Sequence, residues 1–251
     1  MLKIKNIQKR FLRPNGEEND VLRGVNLELG RGDFVTVIGN NGAGKSTLFN
    51  LISGSILPNQ GHLFLNGVDI TYLSEHQRAK RIGRVFQSPL MGTAPNLTVG
   101  ENIALAYGRG GRRILNMALN KELRTLFRER LAEAEMGLED KFDSPMYELS
   151  GGQAQVIALI MSTINPPELL LLDEHTAALD PKTAEDVMAF TEQLIAEHLL
   201  TVLMITHNLE DAIRYGNRLI MMDQGVVARD WSGEEKESLQ ADALRRLYHL
   251  Q

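Results

Sequence analysis

The residues best suited to chemistry form one glycine-rich stretch, GNNGAGKST, which matches the phosphate-loop pattern G-x-x-x-x-G-K-[ST]. An apolar run precedes the stretch and an apolar helix start follows it, as the pattern requires. Several backbone N–H groups would face one anion, Lys45 would reach the β- and γ-phosphates, and the Ser46 hydroxyl would bind Mg2+. An incidental glycine turn with a surface lysine is the alternative, and this context disfavours it. The stretch predicts a nucleoside triphosphate site made of Gly39, Asn40, Asn41, Gly42, Ala43, Gly44, Lys45, Ser46 and Thr47.

Two acidic residues, Asp173 and Glu174, directly follow the aliphatic run Leu169–Leu172. A buried strand would deliver both carboxylates to the sheet edge at which open α/β sheets bind ligands. We expect Asp173 to join the Mg2+ shell. Glu174 would act on the water that attacks the γ-phosphate, as general base or as orienting group. Acids that simply end a strand in solvent are common, but a phosphate loop calls for a magnesium-binding acid.

A histidine, His207, follows the apolar run Thr201–Ile205. The same strand-end argument places it at the edge that holds Asp173 and Glu174. A single histidine at a strand end is more often a cap or a surface residue. Its position after the acidic strand nevertheless favours a contact with the γ-phosphate.

A fourth segment, Ser150-Gly151-Gly152-Gln153, allows two interpretations. Ser150 and Gln153 match the S-x-x-Q pattern of a capping box, which begins a helix. A cap does not need the two glycines, and glycine weakens a helix. They suit a helix N-terminus that an anion approaches closely.

The order of the apolar runs predicts an α/β fold with a parallel sheet. Continuously hydrophobic runs are typical of strands buried on both faces, and they lie at Phe34–Ile38, Leu169–Leu172, Thr201–Ile205 and Arg218–Met222. An apolar face predicts a helix at Lys121–Met136. The N-cap pair Asp180-Pro181 predicts another at Lys182–His198. Shorter strands, with a hairpin turn at Asn66-Gly67, are predicted at Leu2–Ile7, Val25–Leu29 and Leu63–Leu65.

Composition indicates a globular protein without disulfides. The 251 residues include no cysteine, 43% are hydrophobic and 24% charged, and the net charge is −5. This excludes a disulfide framework, a cysteine zinc site and a thiol nucleophile, and it fits a reducing cytosol. The acidic balance argues mildly against nucleic-acid binding. The N-terminus lacks the apolar stretch of a signal peptide, and no run reaches the roughly 18 apolar residues of a membrane helix.

The chain resembles the ATP-binding-cassette (ABC) ATPases in five motifs, which occur in the order typical of that family. They are the phosphate loop, LSGGQ, LLLLDE, AALD at Ala177–Asp180 and the ITH sequence ending at His207. The resemblance covers almost the whole chain. It implies an α/β P-loop NTPase (RecA-like) core sheet with an antiparallel β layer and an inserted helical subdomain. We expect the core at about residues 1–87 and 161–225, the helical subdomain at about 88–160 and a C-terminal tail at about 226–251.

The resemblance also assigns further site residues. Gln87 matches the glutamine that contacts Mg2+ and the attacking water. Phe11 matches the aromatic residue that stacks on adenine, where tyrosine is usual, although a core phenylalanine at a strand end is nearly as good an explanation. Asp180 matches the loop that links two sites, although its N-cap role alone would explain it. In this family two cassettes pair head to tail, so that each ATP would lie between the phosphate loop of one subunit and Ser150–Gly152 of the other, and Gln153 is counted with that ATP site.

The resemblance implies partners as well. The segments around Asp173 and His207 are similar to a bacterial subgroup of importer ATPases, which pair with a periplasmic binding protein and are sometimes assigned to tryptophan or tyrosine uptake. The implied partners are a second copy of the chain, transmembrane permease subunits that contact Pro89–Tyr107 and, indirectly, the periplasmic binding protein. No nucleic acid is expected, and the expected location is the cytoplasmic face of the cell membrane.

A soluble ABC ATPase, such as an iron–sulfur assembly scaffold or a DNA- or ribosome-associated enzyme, is the alternative. Lys45 to Asp173 spans 128 residues without sustained heptads, which disfavours the DNA-repair members with long coiled coils.

The chain departs from the family pattern at two places. Ala154-Gln155-Val156 follows LSGGQ, where arginine is common, and His175 replaces a usual proline. Neither departure changes a residue assigned to chemistry, so we expect an active ATPase. A basic cluster consists of Arg78, Lys80, Arg81 and Arg84, and most of its members are expected to be solvated charges.

Overall fold

The computed structural model of the chain describes residues 1–110 and 121–249. Its strands are β1 (Leu2–Leu12), β2 (Glu18–Leu29), β3 (Phe34–Ile38), β4 (Gln60–Leu65), β5 (Val68–Asp69), β6 (Ile82–Val85), β7 (Leu169–Asp173), β8 (Thr201–Ile205), β9 (Arg218–Asp223) and β10 (Val226–Ser232). Its helices are α1 (Lys45–Ser53), α2 (Glu75–Arg78), α3 (Val99–Tyr107), α4 (Lys121–Ala132), α5 (Gly151–Thr163), α6 (Pro181–His198), α7 (Leu209–Arg214), α8 (Glu234–Glu237) and α9 (Ala241–His249).

The larger sheet has the strand order β10-β9-β3-β8-β7-β6. Strands β9, β3, β8, β7 and β6 run parallel, and β10 pairs antiparallel with β9. The strands predicted at Phe34–Ile38 and Thr201–Ile205 are confirmed residue for residue, and β7 and β9 each run one residue further than predicted. Every residue of β3 and β8 is buried, which explains why continuous hydrophobic runs identify them.

The smaller sheet is antiparallel and has the order β2-β1-β4-β5. Asn66 and Gly67 form the predicted turn between β4 and β5, and both have positive φ (49° and 78°), as a two-residue hairpin of type I′ needs. Strand β1 continues to Leu12 and β2 begins at Glu18, so both are longer than predicted. Their outer halves are largely exposed and polar, and they carry no hydrophobic run.

The ends of two predicted helices show how local backbone geometry sets a boundary. Helix α4 ends at Ala132 rather than Met136, because Glu135 and Gly137 have positive φ (53° and 66°), which a right-handed helix does not contain. Helix α6 begins one residue earlier than predicted, at Pro181. The carboxylate of Asp180 accepts a hydrogen bond from the N–H of Thr183 (3.1 Å), which confirms the predicted N-cap.

The sequence pattern predicts neither β6 nor β10. Strand β6 is short and contains Gly83 and Arg84, and β10 is a largely exposed edge strand. The larger sheet therefore extends past the predicted boundary at residue 225 and includes residues 226–232, where the sequence indicated a tail. Helix α5 likewise passes the predicted boundary at residue 160. Residues 111–120 lie outside the described residues, and the division into core and helical subdomain stays a prediction.

The helices cover both faces of the larger sheet. Helix α1 lies between the two sheets, where its Leu48 and Phe49 are buried with Val37 of β3 and Leu63 of β4. Helices α3, α5 and α6 bury side chains against β7 and β8 on the opposite face. Burial of one such large apolar side chain contributes roughly 1.5–3 kcal/mol. Among residues 1–110 and 121–249, no helix combines the length and the apolar character needed to cross a membrane.

The carboxyl ends of four adjacent strands meet at one edge of the larger sheet. Strand β3 leads into the phosphate loop, β8 leads towards His207, β7 ends at Asp173 and β6 leads towards Gln87. Asp173 pairs with Ile205 of β8, which fixes the relative height of the two strand ends. The parallel topology thereby brings residues from four distant segments to the edge where such sheets bind ligands.

Candidate active site

The phosphate loop joins β3 to α1. Gly44 is the N-cap of α1 with a φ of 100°, and among the described residues no side chain caps this helix start. A Cβ at Gly44 would lie 2.6 Å from Leu22 Cδ2, so both the backbone conformation and the packing require glycine. The first N–H groups of α1 have no partner within the helix and can bind an anion. The exposed members of the loop are Asn41, Gly42 and Ser46.

The Lys45 side chain folds back across the phosphate loop and is buried (8% exposed). Its Nζ donates hydrogen bonds to the carbonyl oxygens of Gly39 (2.5 Å) and Asn40 (3.2 Å). Burial lowers the pKa of Lys45, and the negative charges of Glu174 and Asp173 oppose that shift. The ammonium group therefore lies within electrostatic reach of both acids, with two carbonyl partners that phosphate oxygens can replace.

The Asp173 carboxylate forms an ion pair with Arg84 of the neighbouring strand β6. Arg84 Nη2 lies 2.7 Å from Asp173 Oδ2, and the two side chains are only 12% and 16% exposed. Arg84 Nη1 donates to Asn50 Oδ1 of α1 (2.8 Å), and the guanidinium lies over the Phe86 ring at 4.6 Å. Arg84 is therefore not one of the solvated charges that were expected for most of the basic cluster.

Arg78 is likewise not a solvated charge, because it is 1% exposed. Its guanidinium donates to the carbonyl oxygens of Leu51 (2.5 Å) and Ile52 (3.0 Å) in the last turn of α1, and to Thr71 (2.8 Å). A cation at a helix C-terminus satisfies carbonyl groups that the helix leaves unpaired. Of the basic cluster, Lys80 is exposed as expected.

Glu174 and His207 contact each other where β7 and β8 end. His207 Nδ1 lies 3.3 Å from Glu174 Oε2, and the side chains are 63% and 24% exposed. Glu174 has a positive φ of 49°, and its N–H donates to the carbonyl of Ile205 (3.1 Å). Such backbone conformations outside glycine concentrate at functional sites. The structure thus brings a carboxylate and an imidazole together at the predicted sheet edge.

Gln87 is exposed in the segment that follows β6. The residue before it, Phe86, accepts a hydrogen bond at its carbonyl oxygen from Gln155 Nε2 (3.1 Å). Gln155 is 1% exposed and belongs to the first turns of α5, within the departure from the family pattern. It ties α5 to the segment that presents Gln87. This contact was not predicted from the sequence. The available signal was Gln155 itself, a polar side chain within an apolar helix.

The segment Ser150–Gln153 begins α5 with the predicted capping box, which is confirmed. Ser150 Oγ accepts from the N–H of Gln153 (3.3 Å), and Gln153 Oε1 accepts from the N–H of Ser150 (3.2 Å). A Cβ at Gly152 would lie 2.1 Å from Thr183 Cγ2 of α6. Close packing against α6 therefore explains Gly152 without any ligand, while Gly151 is exposed.

Asp180 is exposed and caps α6 near this segment. Hydrogen bonds from Thr183 lower the pKa of the Asp180 carboxyl. Within the described chain, neither Ser150 nor Gln153 hydrogen-bonds to Lys45. In one copy of the chain these residues therefore do not link the segment Ser150–Gln153 directly to the phosphate loop.

Phe11 lies near the end of β1, opposite Asn19 of β2. The residue is 40% exposed, so a core role, the alternative considered from the sequence, is wrong. Lys9 Nζ lies 5.0 Å from the centre of the ring. The ring is accessible to a planar ligand.

His175 directly follows Glu174 and is buried (2% exposed). Burial lowers the pKa of His175 to about 4, so the imidazole is neutral near neutral pH. Thr191 Oγ1 donates to the carbonyl of Val187 (2.7 Å) and lies 3.3 Å from His175 Nε2. Because Thr191 has one hydroxyl proton, Nε2 is the donor in that second contact. His175 thereby fastens the segment after Glu174 to α6.

The oxygen atoms near the phosphate loop suit a magnesium ion. Mg2+ prefers oxygen ligands, and it is usually held by one or two carboxylates together with substrate phosphates. The residues of this edge that offer such atoms are Asp173, the hydroxyl of Ser46 and the amide of Gln87. Two of them, Ser46 and Gln87, are exposed, and Asp173 is partly exposed.

A parallel sheet with a phosphate loop and an acidic strand end defines a nucleotide-binding domain of the P-loop NTPase class. Residues 22–177 match the family model described as ABC transporter. The tyrosine transport ATP-binding protein of Clostridioides difficile (strain R20291) is 44% identical over 245 residues, which cover 97% of this chain and 97% of that protein. The taurine import ATP-binding protein of Roseobacter denitrificans is 36% identical over 221 residues, covering 88% of this chain and 77% of that protein.

The solved structures agree with the sequence matches. A dimeric ATP-binding cassette in a post-hydrolysis state, bound to ADP and Pi, has a TM-score of 0.80 and 32% identity, covering 92% of this chain and 98% of that one. The chain belongs to the ABC transporter ATP-binding family. The predictions of a P-loop α/β fold, of an ATP-binding ATPase and of a transport subunit are confirmed.

Proposed function

We propose that the chain is the ATP-hydrolysing subunit of a bacterial importer for an aromatic amino acid, and that it works as a head-to-tail homodimer on the cytoplasmic face of the membrane. The observation that carries the catalytic part is the meeting of Lys45, Asp173, Glu174 and His207 at one sheet edge. The substrate class rests on the relative that is named a tyrosine transport protein and matches nearly the full length.

Each side chain at the edge has a task that its geometry supports. Lys45 exchanges its two carbonyl partners for the β- and γ-phosphate oxygens. Glu174 accepts a proton from, or orients, the water that attacks the γ-phosphate. His207 holds the Glu174 carboxylate through the 3.3 Å contact and faces the γ-phosphate. Ser46, Asp173 and Gln87 would hold Mg2+, which would neutralise charge on the phosphates.

The second copy of the chain completes the site in this proposal. The segment Ser150–Gln153 would approach the γ-phosphate bound to the partner's phosphate loop, with the exposed Gly151 and the N-terminus of α5 facing the anion. Phe11 would stack on the adenine ring. A dimeric relative bound to ADP and Pi supports this arrangement. Asp180 would lie at the contact between the two sites.

A surface cavity supports contact with a membrane partner. It has a volume of about 260 Å3 and lies between the last turn of α1, the segment after β6 and helix α5. Met91 lines it and is 71% exposed, and the neighbouring Leu90 is 48% exposed. The lining combines apolar side chains with the charged residues Glu75, Arg84 and Arg109. A concave surface with exposed apolar and charged side chains suits an amphipathic helix presented by a partner protein. We assign it to a cytoplasmic helix of the permease, and a periplasmic binding protein would act on the far side of that permease.

Isolation from membranes tests the transport assignment. The tagged chain should co-purify with a polytopic membrane protein from detergent-solubilised membranes of its own cell. Met91→Glu should remove that partner while the ATPase activity of the isolated chain stays unchanged, because Met91 is 71% exposed and neither Lys45 nor Glu174 lines the cavity. Leu199→Glu is the matched control, since Leu199 is 82% exposed and does not line the cavity.

The same experiment separates the alternative function. A chain found only in the soluble fraction, with full ATPase activity and no membrane partner, would favour a soluble ABC ATPase of the scaffold type. Retention of the partner by Met91→Glu would show that the cavity is not the contact.

A further inference from the structure

We propose that Arg84 is a positioning residue for the magnesium carboxylate of Asp173, a role that rests on the function proposed above. Arg84 lies on β6, and the strand pairing places it opposite Leu171, two residues before Asp173 on β7. Its guanidinium reaches the end of the neighbouring strand and binds Asp173 Oδ2 at 2.7 Å.

The guanidinium is fixed by groups other than the acid it binds. Nη1 donates to Asn50 Oδ1 (2.8 Å) and to Ser53 Oγ (3.3 Å), both in α1, and the plane lies over the Phe86 ring. Helix α1 begins at the phosphate loop, so the same helix that presents its N-terminus to the nucleotide also holds Arg84. These contacts with α1 and Phe86 hold the Arg84 guanidinium in one position, where it can bind the Asp173 carboxylate.

The contact restrains one oxygen of Asp173 and so orients the other. Arg84 occupies Oδ2, and the carboxylate can present Oδ1 to a cation or to its bound water. Partners that hydrogen-bond a ligating carboxylate orient it, and their loss typically weakens metal binding by about 10- to 100-fold. Removal of Arg84 would also leave a partly buried carboxylate without its nearest counter-charge.

The chain contains a matched pair that should not affect the metal. Arg81, on the same segment, binds Glu168 through Nε (2.5 Å) and Nη2 (2.8 Å), and these side chains are 27% and 34% exposed. Glu168 immediately precedes β7, so this pair lies at the opposite end of that strand from Asp173. Arg81→Met thus removes an arginine–carboxylate pair from the same two segments without touching the site.

The experiment measures metal affinity directly. The full-length chain with one equivalent of ADP is titrated with Mn2+, and free Mn2+ is followed by its EPR signal. Arg84→Met should raise the Kd for Mn2+ at least about tenfold. Calorimetry in EDTA should give an unchanged Kd for ADP, since Arg84 acts on the metal ligand. Arg81→Met should leave both constants unchanged.

A second variant keeps the test valid if Arg84→Met does not fold. Asn50→Ala retains both charges and removes one anchor of Arg84, so it should raise the Kd for Mn2+ about threefold. A Kd for Mn2+ that stays at the unmodified value in whichever of these variants folds would overturn the proposal, as would an equal increase in Arg81→Met.

Asp173→Asn distinguishes the two levels of the argument. If Asp173→Asn weakens Mn2+ binding and Arg84→Met does not, the role of Arg84 is wrong and the metal assignment stands. If Asp173→Asn also leaves Mn2+ binding unchanged, the metal assignment in the proposed function is wrong, and the role of Arg84 falls with it.

Discussion

Acid should destabilise this chain through the buried imidazole of His175. The ring is 2% exposed and donates from Nε2 to Thr191 on α6, and burial lowers the pKa of His175 to about 4. In the unfolded chain the same group would titrate near its ordinary value of about 6.5. The folded state therefore binds this proton less readily than the unfolded state.

The sign and size of the effect follow from that difference. Between a pH of about 6.5 and about 4 the unfolded chain holds a proton that the folded chain lacks, so lowering the pH favours unfolding. Above the unfolded-state pKa of about 6.5, His175 is neutral in both states and the folded state loses no stability through it. As the pH falls towards the folded-state pKa of about 4, this loss of stability grows. The full difference of pKa corresponds to about 3 kcal/mol. About 2 kcal/mol of this should be lost between pH values of about 7.5 and 5.

Urea denaturation at these two pH values, for the original chain and for His175→Gln, measures the contribution. The glutamine amide retains a donor for Thr191 but does not titrate, so its acid-induced loss should be smaller by about 2 kcal/mol. His76→Gln is the matched control, because His76 is exposed and its loss should equal that of the original chain. An equal loss in the original chain and in His175→Gln would refute the reasoning.

Two further substitutions test the packing and the dimer. Lys236 is 3% exposed, and its Nζ donates to the carbonyl oxygens of Ile213 (2.9 Å), Tyr215 (2.6 Å) and Gly216 (2.7 Å). Lys236→Met should therefore lower the free energy of unfolding by about 2 kcal/mol in urea titrations, and a loss no greater than that of the exposed Lys141→Met would contradict this. Ser150→Arg should leave the ADP affinity of one subunit unchanged but reduce ATP hydrolysis about a hundredfold and prevent ATP-driven dimerisation in light scattering. Ser74→Arg removes a similar capping box from α2 and should retain ATP hydrolysis and ATP-driven dimerisation. If Ser150→Arg and Ser74→Arg hydrolyse ATP and dimerise equally well, the shared site is contradicted.

The sequence predicted most where the relevant information is local. Phe34–Ile38 and Thr201–Ile205 are buried on both faces, so hydrophobicity alone marks their bounds. The capping box at Ser150–Gln153 and the phosphate loop are short motifs whose geometry depends on adjacent residues. Strand β10 escaped prediction because it is an exposed edge whose pairing is decided by β9.

The parts of the site that could not be predicted depend on contacts between distant segments. Arg84 and Asp173 are 89 positions apart, and Gln155 and Phe86 are 69 apart. Composition around Arg84 suggested a solvated basic cluster, and only the pairing of β6 with β7 places its guanidinium beside the acid. Gly152 is a further example. The sequence suggested that this glycine lets an anion approach, whereas the structure shows that Thr183 of α6 packs too close to leave room for a side chain. No local sequence pattern contains that contact.

The catalytic role of Glu174 is the central claim, and Glu174→Gln tests it most directly. The variant should bind ATP with unchanged affinity, hydrolyse it at least about a hundredfold more slowly and accumulate as an ATP-bound dimer in size-exclusion chromatography. Glu168→Gln, which alters an acid before β7 rather than after it, should hydrolyse ATP at the original rate. Normal turnover by Glu174→Gln, or slow turnover without a trapped dimer, would contradict the account.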